Sequence, residues 1–527
     1  MTMTMVLSNH AADLCKTKRI IRELALPAFQ KKSSSAMEEG HGMQDCRQHG
    51  HVNAGTAASA ASAASAAAAA AGRDADRDAD GDGEFAFAWR RHTLLCNRWE
   101  GLVSAACEVA DPEICSNAFI KMTQMIHAFN LIVPPAPRGS PRTRRSLSSL
   151  HLCEAPGGFV CAVNHAMHQE RPEDSWTWRA NSLVGGGEEA MIGDPIAQRI
   201  ADDGDDADDA EGEGEGEGEG EGEGARDGRG SRCFLGGSEN LLLGVQGTGD
   251  IRSAENLLHI RDECVSQIKR PWLVTADGGL DCSAAPGEQE ATVAPLLFCE
   301  VAGALGAIAA GGSFVLKMFT FARIGSVALL RLLSATFDLV CLAKPDSSRP
   351  GNSEVYAVCS GFRGLKALGD RADDVWAKLL VGVGDRGGVG GLEELGRGIK
   401  GWEWGEWGEA LVQAAGGLWG AQCKTILWNV RLFVASECGT AYSGLKAFRR
   451  RKGKMCEEEC VRLGLGLMPK HRRLCSVAPR GTTTTTTIPS FNPRAVDSKS
   501  RAPLLCPAFE STRRQRNNHH LPPRAHI

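Results

Sequence analysis

Two charges at the ends of buried strands mark where this chain is equipped for chemistry. The stretch PWLVTADGGLDCSAAPGEQEATVAPLLFCEVAGALGAIAAGGSFVLKMF, 271–319, places Asp277 after one short apolar run and Lys317 on a second. Carboxylates and amines are the groups that orient a bound molecule or take a proton from it. Between them, GEQEATVAPLLFCEVAGALGAIAA has the length of a helix and begins with acids, which favour a helix N-terminus. Gly311-Gly312 then ends it. The pattern predicts a β-α-β crossover with one charge at the carboxyl end of each strand. In open parallel sheets that edge is where ligands bind.

The flanking segments supply further elements. In SLHLCEAPGGFVCAVNHAM an apolar strand, a tight turn and a helix follow one another. Glycine at such a turn lets backbone approach a ligand, and the helix N-terminus offers free N–H groups. No G-x-G-x-x-G is present, and PGG suits the methionine end of S-adenosylmethionine better than a pyrophosphate. SWTWRANSL, 175–183, reads as the second strand, with Asn181 where a nucleotide fold ends in an acid. Trp176 or Trp178 could cover an adenine, or both could be core. DPEICSNAFIKMTQMIHAF is helical, with Phe119, Met122, Met125 and Ile126 on one face and Lys121 beside them, an ordinary solvated lysine on this pattern. Beyond Lys317, IGSVALLRLLSATF reads as a helix, and FDLVCLAKP and EVYAVCSGF as strands able to pair as a closing hairpin.

The overall charge conceals an uneven distribution. Residues 186–229 hold 17 acids and 3 arginines, a net of −14 in a chain whose formal net is −5, which leaves +9 on the remainder. A positive body with an acidic loop suits an RNA partner. The 19 cysteines sit in apolar runs such as LLFCE and DLVCLA, as small buried hydrophobes do, and point to a reducing compartment. Cys456 and Cys460 lack histidine partners for a metal. The N-terminal stretch lacks the long apolar core expected of a secretory signal, and the longest apolar run, 291–310, is interrupted by Glu300 and reads as a buried helix rather than a membrane span.

These patterns divide the chain into four parts. Residues 1–84 are low-complexity and expected to be disordered. Residues 85–365 form the α/β domain, with a disordered acidic insert at 186–230 that includes seven Glu-Gly pairs from Glu211. Residues 366–475 are a glycine-rich and then helical extension, and 476–527 a disordered tail. The basic run Arg449 to Lys454 reads either as a phosphate contact or nuclear signal, or as a solvated helix end.

Taken together, HLCEAPGGF, TADGGLDCSAAPGEQEA, GGSFVLKMF and KPDSSRPGNSEVYAVC resemble the FtsJ/RrmJ class of ribose 2′-O-methyltransferases. Within that class HLCEAPG and PGEQEA are most similar to the Adrift-type branch, the cap-specific mRNA enzymes of the cap-2 kind. The resemblance covers 114–362, with a weaker echo at WNVRLF, 428–433. It implies a Rossmann-like S-adenosylmethionine-dependent methyltransferase fold, mostly parallel with an antiparallel closing strand and helices on both faces. It also implies a catalytic set of Lys121, Asp277, Lys317 and Glu354, with Lys317 as proton acceptor and no metal. The cofactor site it implies includes Gly157 and Gly158 in the turn, Trp176 on the second strand, Asp250 of GTGDI at the adenine amino group, and Asp277. Capped mRNA would be the substrate, in the nucleus or the cytoplasm, with no membrane. Few residues follow Phe433, so a second methyltransferase-like domain is not expected and cap recognition would fall to a protein partner. The rival readings are the same reaction on cap-1 or ribosomal RNA, a non-catalytic RNA-binding pseudoenzyme, and an incomplete gene model whose chain folds poorly.

Overall fold

A computed structural model describes residues 12–14, 16–17, 19–27, 85, 87–133, 145–183, 239–280, 282, 288–384, 405–437, 444–474 and 509–510. The acidic insert, the glycine-rich stretch at 385–404 and nearly all of 1–84 and 476–527 lie outside the described residues. Gly101–Leu418 and Gly453–Ile527 belong to one compact unit, and Ala12–Glu100 with Trp419–Lys452 to another.

The first unit is built on a sheet. Its strands are β1 (Ser146–Leu152), β2 (Ser175–Ala180), β3 (Leu273–Ala276), β4 (Ser313–Met318), β5 (Phe337–Ala343) and β6 (Val355–Phe362). They lie in the order β2-β1-β3-β4-β6-β5, and Phe509–Glu510 adds a two-residue strand, β7, beyond β5. Pairing is parallel from β2 through β4 and antiparallel where β6 inserts between β4 and β5. The buried apolar runs LVTA and SFVLKM form β3 and β4, joined by the helix Gln289–Ala307 as the crossover pattern predicted.

The helices are α1 (Leu102–Ala110), α2 (Asn117–Phe129), α3 (Gly158–Glu170), α4 (Ala254–Ile268), α5 (Gln289–Ala307), α6 (Ile324–Thr336), α7 (Ala372–Gly384), α8 (Gly405–Glu437) and α9 (Gly444–Arg462). Local chemistry sets several of their ends. Ser116 Oγ accepts from Phe119 N–H to cap α2, which stops at Asn130 in the left-handed region (φ 53°). Ser253 Oγ likewise accepts from Asn256 N–H at the start of α4. Helix α5 alone among the described residues is long and apolar enough to cross a membrane, yet it is a core helix, with 78% of its apolar window buried.

Buried polar groups tie the first three strands together. Trp176 Nε1 donates to Ser149 Oγ, and His151 bridges Ser149 and Thr275 through its two ring nitrogens at 2.9 and 2.8 Å. Burial pulls the His151 pKa down to about 3, so the imidazole is neutral here.

The second unit packs Phe85 and Trp89 edge-on against Phe433, with ring centroids 6.0 and 5.4 Å apart. His92 Nε2 lies 3.0 Å from the Asn429 carbonyl oxygen. The WNVRLF segment therefore contributes a helical core.

Helices α2 and α3 meet at Gly158. A Cβ there would lie 2.8 Å from Ala118 Cβ and 2.9 Å from Ser116 Oγ. Gly158→Ala is expected to force the helices apart and cost about 1–3 kcal/mol, read as a lower urea midpoint with an unchanged m-value.

Candidate active site

The parallel strands reverse direction of winding between β1 and β3, since β2 follows β1 outward on one side and β4 follows β3 on the other. That is the switch point at which an open α/β sheet leaves a crevice beyond its carboxyl edge. Asp277 directly follows β3, and Lys317 is the penultimate residue of β4. Strand β6 runs antiparallel, so its beginning arrives at this same edge and brings Glu354 with it. Lys121 reaches the cluster from α2.

Two ion pairs result. Lys121 Nζ donates to Glu354, 2.8 Å from Oε1 and 3.0 Å from Oε2. Lys317 Nζ lies 3.6 Å from Asp277 Oδ1 and donates to the Asp277 carbonyl oxygen at 3.3 Å. The hydroxyl of Tyr356, which faces Lys317 across the β4–β6 ladder, donates to Asp277 Oδ1 at 2.9 Å. Ser348 Oγ donates to Glu354 Oε1 at 2.8 Å. Behind it, Lys344 Nζ donates to Asn352 Oδ1 at 2.7 Å and to the Glu354 carbonyl oxygen at 2.8 Å, closing the SSRPGNSE loop on itself.

Burial and charge set the protonation states. For Lys317 burial opposes the charged form, but Asp277, Glu354 and Glu300 together outweigh it and raise the pKa above the ordinary lysine value. Burial raises Asp277, against the pull of Lys317 and Lys121. For Glu354 burial is overcome by Lys121 and Lys317, which bring its pKa to about 2. Lys344, with few compensating charges, is lowered by burial to about 8. The acids therefore win the contest over Lys317, and it rests as an ammonium.

The turn between β1 and α3 is where a cofactor would meet the fold. Gly157 has φ +122°, a conformation that side-chain-bearing residues rarely adopt. Glu154 is buried, and its Oε1 accepts from Phe159 N–H and Val160 N–H at 2.8 and 2.9 Å. These are the N–H groups that a dinucleotide fold would offer to a pyrophosphate. A carboxylate already holds them, so a phosphate has no seat here. Glu154 Oε2 and Glu300 Oε2 are buried without a hydrogen-bond partner. Burial, with the charge of Asp277 added, raises the Glu154 pKa well above the ordinary value, and burial moves Glu300 up to about 8. Asp277, partly exposed at this edge, with the unpartnered Glu154 Oε2 near it, suits a ligand that carries a positive charge, and S-adenosylmethionine is one.

The structure brings Lys121, Asp277, Lys317 and Glu354 into one cluster. Gly157 lies in the turn beside it. Asp250 follows Gly249, and both of its carboxylate oxygens are held by the Arg252 guanidinium at 3.0 and 3.1 Å. Its charge reaches Cys153 and Cys299, which lie beside Glu300. Two expectations need correction. Trp176 stands opposite Leu147, four residues before the end of β2, or about 13 Å short of the edge at the usual rise per residue. It stacks on Trp178, with centroids 6.2 Å apart, and covers core instead of the crevice. Gly158 faces α2, so its missing side chain serves helix packing. Asn181, where an acid was sought, donates to the carbonyl oxygens of Leu242 and Gly249 and holds the Asp250 loop against the sheet. Sequence reasoning missed Tyr356, Ser348, Lys344 and Glu300. Tyr356 had a signal: it is one of only two tyrosines, spaced two residues from Glu354 on the same strand face.

The sheet order, the switch-point crevice and the paired lysines and acids define a Rossmann-like fold of the methyltransferase type. Residues 114–362 match the family described as FtsJ-like methyltransferase. The protein named cap-specific mRNA (nucleoside-2'-O-)-methyltransferase 2 of Mus musculus is 36% identical over 280 residues, 53% of this chain and 32% of that protein. Its namesake in Danio rerio is 35% identical over 285 residues, covering 53% and 33%. Cap-specific mRNA (nucleoside-2'-O-)-methyltransferase 1 of Mus musculus is 40% identical over 122 residues, covering 23% and 15%. The chain spans about a third of the length of the first two relatives.

Proposed function

We propose that this chain transfers a methyl group from S-adenosylmethionine to a ribose 2′-hydroxyl of capped mRNA, at the second transcribed nucleotide. The observation that carries the reading is the pair of ion pairs, Lys121–Glu354 and Lys317–Asp277, at the carboxyl ends of β3 and β4 and the start of β6. A ribose hydroxyl is a weak nucleophile, so the protein has to hold it in line and provide an acceptor for its proton. The cofactor supplies a methyl group already activated on a cationic sulfonium. Gly157, Glu154 and Asp277 would hold it, with Asp250 at the adenine end. Lys317 Nζ would take the hydroxyl proton. In the cluster as it stands the acids keep that nitrogen protonated, and a cation seated against Asp277 offsets part of their field and lowers the pKa of Lys317. Lys121, fixed by Glu354, would steer the hydroxyl and add a second positive charge that works in the same direction.

Residence in the nucleus or cytoplasm and a protein partner for cap recognition are part of the same proposal. Transfer at the first transcribed nucleotide is the second reading, favoured by the 40% identity to the methyltransferase 1 relative over its shorter span. Short capped RNAs with the first nucleotide either methylated or unmethylated, with an uncapped control, distinguish them when offered with radiolabelled cofactor. Cap-dependent label on the second nucleotide is the expected result. Label confined to RNAs with an unmethylated first nucleotide supports the second reading, and label on uncapped RNA overturns both.

A further inference from the structure

The C-terminal segment beyond the matched residues is joined to the candidate site by a buried polar chain. Glu459 of α9 is 5% exposed, and its Oε1 accepts from Gln124 Nε2 at 2.8 Å. Gln124 Oε1 in turn accepts from Ser347 N–H at 3.1 Å and from Ser347 Oγ at 2.8 Å. Ser347 adjoins Ser348, whose hydroxyl holds Glu354 Oε1. Gln124 also lies one helical turn after Lys121 on α2, so both members of the Lys121–Glu354 pair sit next to groups that this chain fixes. Arg462 completes the arrangement: it donates to both carboxylate oxygens of Glu459 and feels the charge of Asp346 in the same loop.

The attachment extends past Glu459. Met468 N–H donates to the Ala110 carbonyl oxygen at 2.8 Å, and His165 Nε2 lies 2.8 Å from the Gly466 carbonyl oxygen. Asn164 Nδ2 donates to the Arg472 carbonyl oxygen at 2.9 Å, and Arg473 pairs with Asp111. The segment after α9 is therefore strapped across α1, α2 and α3.

A surface strap needs no buried carboxylate. Burying one costs free energy unless its partners are well placed, and here the first partner is an amide whose other end grips the catalytic loop. We propose that Glu459 is a positioning residue for the methyl transfer put forward above: through Gln124 it fixes Ser347 and Ser348, and with them the geometry of Glu354 and Lys121. The inference rests on that functional reading. An amide without its anchor is free to rotate, and the SSRPGNSE loop then loses two hydrogen bonds that define its register beside the site.

The full chain tests this with Glu459→Ala, Glu459→Gln, Gln124→Ala and the Glu459→Ala/Gln124→Ala double variant. Arg462 is half-exposed, so the alanine at 459 leaves no buried charge unpaired. The expected result for Glu459→Ala is a kcat lowered about 10- to 100-fold, as small misplacements near reacting groups produce. KM for RNA and the dissociation constant for S-adenosylmethionine should stay within about threefold, since Glu459 is buried and reaches the site only through Gln124. Glu459→Gln keeps an oxygen able to accept from Gln124 and should restore most of the rate. Gln124→Ala should match Glu459→Ala, and the double variant should be no slower than either. Three outcomes overturn the positioning role while wild type stays active: an unchanged kcat in Glu459→Ala, a glutamine variant as slow as the alanine, or fully additive losses in the double variant. A loss of kcat that tracks a loss of cofactor binding and melting temperature also overturns it, because that is the signature of a purely structural strap. A wild-type chain that binds cofactor but methylates no RNA overturns the functional reading first and the positioning role with it.

Discussion

Lys317→Ala is expected to lower methyl transfer by about 10²- to 10⁴-fold, the usual range for a lost proton acceptor, while S-adenosylmethionine still binds. Lys317 Nζ is the amine that Asp277 holds at the ends of β3 and β4, and no described neighbour can replace it. Lys121 is tied to Glu354 by both carboxylate oxygens, and Lys344 is turned into the SSRPGNSE loop. Lys317→Arg should not rescue, because a guanidinium stays protonated at any working pH. The pH dependence follows from the sign of the shift. Lys317 accepts a proton only when neutral, and its pKa is raised. The single-turnover rate should therefore climb with pH through neutrality into the alkaline range. Stability runs the other way. A raised lysine pKa contributes stability that is fully present below the unfolded-state pKa and is lost as pH rises through the folded value. At neutral pH the alanine variant forfeits this contribution, so cofactor binding and melting temperature have to be measured beside the rate. A flat pH profile in wild type, or an alanine variant within tenfold of it, removes Lys317 from the role of base.

How much of this was legible beforehand depended on the range of the interaction. The crossover could be read because its parts are contiguous: two apolar runs, an acid-initiated helix and a glycine pair lie within 49 residues. Strands β3 and β4 fell where the runs predicted. Lys121 could not be told from any helix lysine, because Glu354 is 233 residues away and only tertiary packing joins them. The family motif named it, while the local pattern did not. Trp176 was misplaced for a different reason. Composition locates a strand, but pairing register decides which residue lies at its edge, and a four-residue offset moves a side chain from crevice to core. Gly158 shows the same ambiguity in a turn, since a glycine needed for backbone approach and one needed for helix contact look alike in sequence. Glu459 and Gln124 carried no pattern at all, because a buried amide bridge has no period.

Glu300 is the least expected residue of the site, and its replacement should change the pH response of the whole domain. It lies in the apolar helix α5, fully buried, with Oε1 accepting from Gly278 N–H at 2.9 Å and Oε2 unpartnered. Burial is the main cause that lifts its pKa to about 8, against the pull of the Gly278 N–H and of Lys317. The folded chain therefore keeps this proton at pH values where the unfolded chain has released it. For a carboxyl with a raised folded pKa, stability falls as pH rises from the ordinary glutamate value to the folded value, and is flat above it. One proton accounts for up to about 1.4 kcal/mol per pH unit across that window, so the total is on the order of 3–5 kcal/mol by pH 8 to 9. Glu300→Gln keeps the acceptor for Gly278 and cannot ionise. Its new amide N–H₂ faces a site with little beyond the Cys153 sulfur to accept from it, at a cost of about 1–3 kcal/mol that does not vary with pH. The two stability curves should therefore cross: the variant is less stable near pH 5 and more stable near pH 9. Removing the Glu300 charge also takes one of the three acids away from Lys317. The alkaline rise in the transfer rate should then move to lower pH in the variant. Urea unfolding of both proteins from pH 5 to 9 measures the first effect, and single-turnover rates over the same range measure the second. Parallel stability curves would mean that Glu300 is ionised in the fold, and that the crevice beside Asp277 carries one more negative charge at rest than burial allows.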